Sequence, residues 1–514
     1  MTDQAEQQRL KAFLERRHPR YNEFVCQWDF LESCYEGGRA WFEGNIFKYL
    51  KEGPKEYQDR VSRAYRFNHS REVVDLVNKY IFKGKIERNE DDAPDEIKQF
   101  WEHATLNGGC IDTFMRYSST KASTFGCAYI VVDSSAKGEI LTKADEKAAG
   151  LRVYAYLVKP QDMLDISFDD NGEINWCLIR EVYRDDGDPI DSSGECDYQY
   201  RLWMRDQWQL YRIRREGRKQ VIYLDSTGPN QIGVVPVIKL DHVDSDDKWT
   251  APSLIGEIGY LDRAVANYLS NLDAIIQDQT FSQLAMPGQA LMPGDDTHNA
   301  LLELGTKRIF IYNGESGAAP QFISPDPKQA TVIIGVINKI ISEIYHTVGM
   351  AGERTKQDNA QGIDNSSGVA KAYDFERMNA LLTSKADTLK RAENAIIKLV
   401  CLYRGVPAPE LDLIAYPATF DVRGIYDEFE IATQLDLIAA PDEVRREQMK
   451  AVIAKLFPAL SQDLKKTFEQ ALKSWPPAAP EPALLSASGV GKPKLPPSGQ
   501  ANDQTKPGQA TGQN

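Results

Sequence analysis

Residues 327 to 403 restrict the fold more than any other part of the chain, because two long apolar-striped segments flank a polar stretch spaced by glycines. In the first segment Val332, Ile333, Val336, Ile337, Ile340, Ile341, Ile344 and Val348 recur at three-and-four spacing. That spacing lines one face of an amphipathic helix from about 329 to 348. Gly349, Gly352, Gly362 and Gly368 then fall among Asn, Asp, Gln and Ser, with no apolar run to nucleate helix or strand. Residues 350 to 367 are expected to be a mobile loop, and a loop of this length in a compact chain is functional or disordered. Helical periodicity returns with Val369, Ala372, Tyr373, Phe375, Met378, Leu381, Leu382, Leu389, Ala392, Ile396 and Val400. It stops at Gly405 and Pro407, a normal helix exit. At about 1.5 Å per residue this second helix is about 50 Å long.

The 514 residues exceed what one hydrophobic core serves, so two or more folded regions are expected. No long uninterrupted apolar run occurs and the N-terminal stretch is charged, so neither a signal peptide nor a membrane span is expected. Cys26, Cys34, Cys110, Cys127, Cys177, Cys196 and Cys401 show no CxxC pair and no His at ligand spacing. They are expected to be reduced and mostly core, not a disulfide framework or a zinc site. A net charge of -14 opposes a tight grip on nucleic acid, which needs a basic face to displace counterions. The same balance also serves simply to keep a protein soluble.

Taken in order, residues 3 to 17 suggest a polar helix, and the aromatics Trp28, Phe30, Tyr35, Trp41, Phe42, Phe47 and Tyr49 are expected in core or subunit contacts. Helices broken near Asn68 are expected from 57 to 82, where Arg60, Arg63, Arg66 and Arg71 give a basic edge. That edge reads as a solvated or inter-subunit face, with a phosphate contact as the alternative. Residues 94 to 125 are expected to be helical. Strand periodicity then marks 127–133, 151–158, 174–184, 198–205, 208–214, 219–224 and 234–240, an antiparallel sheet with a tight hairpin at Glu216-Gly217-Arg218. A helix is expected from Pro252 to about Leu284, and a hairpin pairing Arg308 to Tyr312 with Gln321 to Ile323. Beyond Pro407 come a strand near 418 to 421, helices near 426–438, 441–457 and 463–475, and a Pro/Gly/Ala/Gln-rich tail expected to be disordered.

Catalytic constellations are lacking. There is no phosphate loop, since Gly489-Val490-Gly491-Lys492 is followed by Pro493 and lacks the first glycine at the required spacing. No HExxH or GxSxG occurs, and Gly314-Glu315-Ser316-Gly317 reads as a turn. The six histidines, His18, His69, His103, His242, His298 and His346, stand alone in the sequence. Asp244, Asp246, Asp247, Asp295 and Asp296 lie in loop composition and read as solvated turns more readily than as a metal site. No catalytic residue, metal or cofactor is expected.

Three tracts resemble the portal, or head-to-tail connector, proteins of tailed bacteriophages: HPRYNEFVCQWDF with EYQDRVSRAYRFN, TAPSLIGEIGYLDRAVANYLSNLDAIIQDQTFSQLAMPG, and SSGVAKAYDFERMNALLTSKADTLKRAENAIIKLV. The resemblance covers about residues 18 to 475, and the succession of helix, small β excursion, helix, loop and long helix is its most specific part. It implies an α+β portal-type fold in a closed ring oligomer, usually a dodecamer. The implied parts are an α/β wing (1–251), a helical stem (252–284 and 329–349), a β-containing clip (285–328), a tunnel loop (350–367), a long helix (368–406), a helical crown (407–475) and a tail (476–514). No long C-terminal helix for a barrel inside the capsid is expected, a departure from the large portals.

The resemblance further implies a ring assembled in the host cytoplasm at one vertex of the capsid, through which double-stranded DNA enters and leaves. Its implied partners are the terminase large subunit, a head-tail adaptor, and major capsid and scaffolding proteins, with no membrane. Glu353, Arg354, Lys356, Asp358 and Asp364 would line the tunnel with net charge -1 per subunit. Arg308, Ile309, Ile311 and Tyr312 would carry docking at the clip. The alternative is a metal-dependent nucleic-acid-processing enzyme whose acidic loops hold the ion.

Overall fold

The computed structural model describes residues 2–135, 152–280, 283–287, 309–312, 321–323, 327–349, 368–417 and 441–473, with short gaps at 51, 85, 217–218 and 457–461 and a few isolated residues besides. Residues 1–422 and 423–514 form two compact units.

The first unit opens with α1 (Thr2–Glu15) and α2 (Pro19–Glu36). Between them His18 is extended, its Nδ1 accepting the Arg20 N–H at 3.2 Å, while Pro19 takes the first helical position. Next come α3 (Ala40–Asn45), α4 (Pro54–Arg63) and α5 (His69–Ile81). The break expected near Asn68 is a helix cap, where its side-chain oxygen accepts the Arg71 N–H at 3.0 Å. β1 (Glu87–Arg88), α6 (Asp95–Glu102) and α7 (Ile111–Phe125) follow. α7 ends at Gly126, whose φ of 96° and distance of 1.9 Å from a would-be Cβ to the Ala251 carbonyl oxygen both demand glycine.

That turn launches β2 (Cys127–Ser134), which is flanked on both edges and covered on both faces. Ala128, Ile130 and Val132 enter a helical core, while Tyr129 and Val131 enter a second core against another sheet. Burial on both faces is why the strand reads as a nearly continuous apolar run. Then come β3 (Val153–Val158), β4 (Met163–Phe168), β5 (Ile174–Arg184), β6 (Cys196–Met204), β7 (Gln207–Glu216), β8 (Lys219–Pro229) and β9 (Val237–Asp241). β3 and β9 pair antiparallel with β2, and β4 to β8 form an antiparallel meander in sequence order. The β7–β8 hairpin closes on Glu216 opposite Lys219, as its turn signal predicts. β4 carries no clear strand signal because Asp165 interrupts its apolar residues; Arg16 Nε donates to that carboxylate at 2.8 Å.

The unit is completed by α8 (Ile258–Thr280), β10 (Gln283–Pro287), β11 (Ile309–Tyr312), β12 (Gln321–Ile323), α9 (Pro327–Thr347), α10 (Gly368–Arg404) and β13 (Ile414–Ala415), which pairs with β1. α10 has 37 residues and buries Met378, Leu382, Leu389, Ile396 and Val400 in the helical core, as its stripe predicts. α8 is shorter than spacing predicts at both ends. Residues before Ile258 are held in turns against the end of α7, where the Leu254 N–H donates to Ser123 O at 3.1 Å and Ser253 Oγ to Thr124 O at 2.7 Å. Leu284, which continues the helical spacing, belongs to strand β10 instead.

Of the cysteines, Cys34, Cys127, Cys177 and Cys401 are buried and Cys26, Cys110 and Cys196 exposed, all free. In the second unit α11 (Asp442–Leu456) and α12 (Gln462–Lys473) bury Val452 and Leu472, and Arg446 Nε donates to Trp475 O at 2.6 Å. The helix expected near 426–438, the strand near 418–421 and the tail fall almost wholly outside the described residues.

Candidate functional site

α8 and α9 bury Val265 and Leu269 of one helix and Ile337, Ile341, Ile344 and Val348 of the other in the helical core. Buried polar groups fix this pair to the N-terminal block. Asp262, on the apolar stripe of α8, is fully buried and accepts from Ser70 Oγ at 2.9 Å and from the Ser70 N–H at 3.3 Å, with His69 Nδ1 at 3.1 Å. Arg66 Nη1 lies 3.5 Å away. The carboxylate thus meets the free N–H groups at the start of α5, where negative charge is favoured. Asn267 of α8 accepts the Phe47 N–H at 2.9 Å, and Tyr345 of α9 donates to Glu72 at 2.5 Å.

The basic edge expected on residues 60 to 71 is turned inward or neutralised. Arg60 is buried, pairs with Glu52 at 2.7 Å and donates to Ser270 Oγ of α8 at 3.0 Å. Arg66 lies over the Trp41 ring at 4.0 Å, and burial lowers its pKa while Asp262 opposes the shift. Arg63 lies 3.7 Å from Asp273 and Arg71 3.6 Å from Glu36. Within the chain each guanidinium thus faces an acid.

Two more polar clusters hold α10. Glu393 is fully buried and bonded by Arg88 Nε of β1 at 2.7 Å and Tyr416 Oη, just past β13, at 2.8 Å, while Arg88 also reaches Asp112 at 2.8 Å. Burial raises the Glu393 carboxyl, and Arg88 and Tyr416 pull it back. Lys385 is equally buried beside Ser123 and His242. The histidines do not all stand alone, since His69 and His242 both sit in buried clusters assembled from distant segments. A lysine bonded to a serine has the composition of a nucleophilic pair, but burial of both closes the site to any substrate. Sequence carried a signal for these groups: Asp262, Lys385 and Glu393 occupy stripe positions among apolar neighbours on α8 and α10.

Between α8 and α9 lies a three-stranded sheet in the order β11-β10-β12. This corrects the expected hairpin, because β11 and β12 do not pair with each other. β11 runs parallel to β10, with Met286 opposite Ile311, and β12 runs antiparallel to it, with Ala285 opposite Gln321. A parallel neighbour requires a long connection, and residues 288–308 separate β10 from β11 in the sequence. Ile309, Ile311 and Tyr312 therefore lie in β11. Arg308, Glu353, Arg354, Lys356, Asp358 and Asp364 fall outside the described residues. Asp247 is engaged by the Trp249 N–H at 2.8 Å, the Thr250 N–H at 3.2 Å and Arg20 at 2.5 Å, and Asp244 by Arg391 at 2.8 Å. Among the described residues no group of three or more His, Cys, Asp or Glu could hold a metal ion, and no helix is long and apolar enough to cross a membrane.

Paired helices around a small sheet, anchored by buried polar contacts to the helical N-terminal block, belong to a chain of α+β architecture. The chain belongs to the phage portal protein family, SPP1 Gp6-like, whose model matches residues 16–419. Membership supports a ring-forming, DNA-channel function at the portal vertex of a virion, and makes the chain a structural protein and not an enzyme. None of the curated proteins matches it. Among solved structures it is similar to the neck of an empty GTA particle computed with C6 symmetry, at 10% identity and TM-score 0.37, covering 84% of this chain and 98% of that one. It is also similar to the neck of a native GTA particle computed with C12 symmetry, at 9% identity and TM-score 0.38, covering 81% and 98%. At these scores neither likeness carries further argument.

Proposed function

We propose that this chain forms a closed ring, of twelve subunits by analogy with the family, that passes double-stranded DNA into the capsid during packaging and out during ejection. The family match over residues 16–419 carries this reading. Ring contacts are further supported by apolar side chains that the single chain leaves uncovered on its paired helices: Val332 and Ile334 on α9 and Ile276 on α8 are exposed. In this reading residues 1–251 form the wing, α8 and α9 the stem, and residues 285–328 the clip. Residues 350–367 form the tunnel loop, α10 the long helix behind it, and residues 407–475 the crown.

The clip, with Arg308, Ile309, Ile311 and Tyr312, is the docking site for the terminase large subunit and the head-tail adaptor. Major capsid and scaffolding proteins meet the outer surface. The chain supplies a conduit while a separate ATPase supplies the work, which fits the lack of a phosphate loop. A net charge of -14 fits a passage in which phosphates slide and are not clamped. Size-exclusion chromatography and negative-stain microscopy of the purified protein test the ring: annular particles near twelve subunit masses are expected. A monomer that persists across concentration and salt overturns the reading.

A further inference from the structure

Lys385 is 1% exposed, yet no carboxylate is among its described partners. Its ammonium donates to Ser119 O at 3.1 Å and to Ser123 Oγ at 2.5 Å, and lies 3.2 Å from His242 Nδ1. Ser119 and Ser123 are fully buried and His242 is 2% exposed. The charged groups nearby are engaged elsewhere. α7 contributes only hydroxyls and a carbonyl here, its Lys121 turning to Glu36 at 2.9 Å. α5 contributes Asn78, which accepts the Ser119 hydroxyl. β9 ends with Asp241, paired with Lys239 at 2.9 Å; His242 follows it directly, and Asp244 beyond pairs with Arg391. β2 brings Ala128, Ile130 and Val132 to this core, α6 brings Glu96 near Cys401 further along α10, and Tyr416, just past β13, reaches Glu393, which Arg88 holds.

Two nitrogen bases therefore share a buried site with no counter-ion among the described residues. One positive charge is tolerated there through three neutral contacts; two charges 3.2 Å apart repel strongly in a medium that screens poorly. We propose that Ser123, His242 and Lys385 form a proton-sensitive joint seating α10 on α7 and the end of β9: the helix is held while the two nitrogens carry at most one charge, and a second charge loosens it. The joint is independent of the channel assignment and is tested without DNA.

The sign follows from linkage. Burial pushes the Lys385 ammonium down to about 7, and burial together with that ammonium pushes the His242 imidazole well down. An unfolded lysine keeps its proton up to about pH 10.4. Between about pH 7 and 10 unfolding therefore takes up one proton at Lys385, and the unfolding constant falls about tenfold per pH unit from this side chain alone. Below pH 7 the lysine is charged in both states, and His242 becomes the group that resists its proton on folding.

Denaturant unfolding of the full chain from pH 5 to 10 tests this, together with hydrogen exchange over residues 376–396 corrected for intrinsic rates. Lys385→Met is expected to lose the one-proton slope above pH 7 that the wild type shows, and its α10 protection should no longer rise with pH. Equal slopes in the two proteins overturn the joint. Should Lys385→Met not fold, His242→Gln decides: it should keep the slope above pH 7 and lose the loosening below pH 6.5. A His242→Gln protein indistinguishable from wild type at every pH overturns the proposal.

Discussion

Single carboxylates show how much of this chain rests on pairings between segments remote in sequence. Asp247 holds Arg20 across 227 positions and also accepts two backbone N–H groups. Desolvation raises its pKa, but hydrogen bonds from Trp249, Arg20 and Thr250 outweigh that and hold it at about 2. A depressed carboxyl contributes stability above its unfolded value, near 3.9, and loses it as pH falls through the folded value. Asp247→Asn is therefore expected to lower stability by about 1–2 kcal/mol at pH 7, after discounting for its partial exposure, with the difference shrinking from pH 4 towards pH 2. Urea titrations of both proteins across that range check this, and a difference independent of pH would count against the pairing. Asp262 is the harsher case, because removing one partner strands buried Arg66 and the start of α5. Asp262→Ala should cost about 3–5 kcal/mol by the same measurement. Asp262 was legible as an acid at an apolar stripe position, whereas the Arg20 contact of Asp247 was not, since local periodicity carries no information about a partner 227 residues away.

At the scale of elements, the long helices were readable because apolar spacing is a local property, and α10 spans the periodicity that runs from Val369 to Val400 and stops at Gly405. The small sheet was not. β10 has five residues, and its Leu284 continues the spacing of α8, so the segment reads as helix until its partners are known. With β10 unseen, β11 and β12 had only each other to pair with. The observed order makes β10 the strand on which the sheet depends: Ala285 is buried and lies opposite both Phe310 and Gln321. Proline there removes a ladder donor from a strand paired on both edges. Ala285→Pro should raise hydrogen exchange across residues 283–323 while α8 and α9 keep their protection, because those helices are fixed independently through Asp262, Asn267 and Tyr345. Exchange that rises equally in the helices would mean that the sheet and the helix pair fold as one unit. Under the docking proposal the same variant, like Ile309 and Ile311 changed to Asp, should also weaken terminase or adaptor binding.

For the molecule as a whole, the tunnel proposal predicts that what assembles and what touches DNA can be altered separately. Ile344, Tyr345 and Val348 at the end of α9, and Met378 and Leu382 in α10, are buried in the same core on either side of residues 350–367 in the sequence. Within that segment Arg354 and Lys356 are the only cationic residues, against Glu353, Asp358 and Asp364. Under the tunnel proposal a ring would repeat this set in every subunit, giving circles of mixed charge whose net sign is negative. Contacts with phosphate through two cations per subunit are weak and salt-screened, as a sliding passage requires. Changing both Arg354 and Lys356 to Glu moves the segment from net -1 to net -5 per subunit and leaves the helical core untouched. Rings of normal size are therefore expected by negative stain, together with a fall in full-length genome packaged or retained, read as the ratio of filled to empty heads and as titre. Wild-type titre with fully filled heads would remove the tunnel assignment. Failure to form rings would instead place residues 350–367 at a contact between subunits.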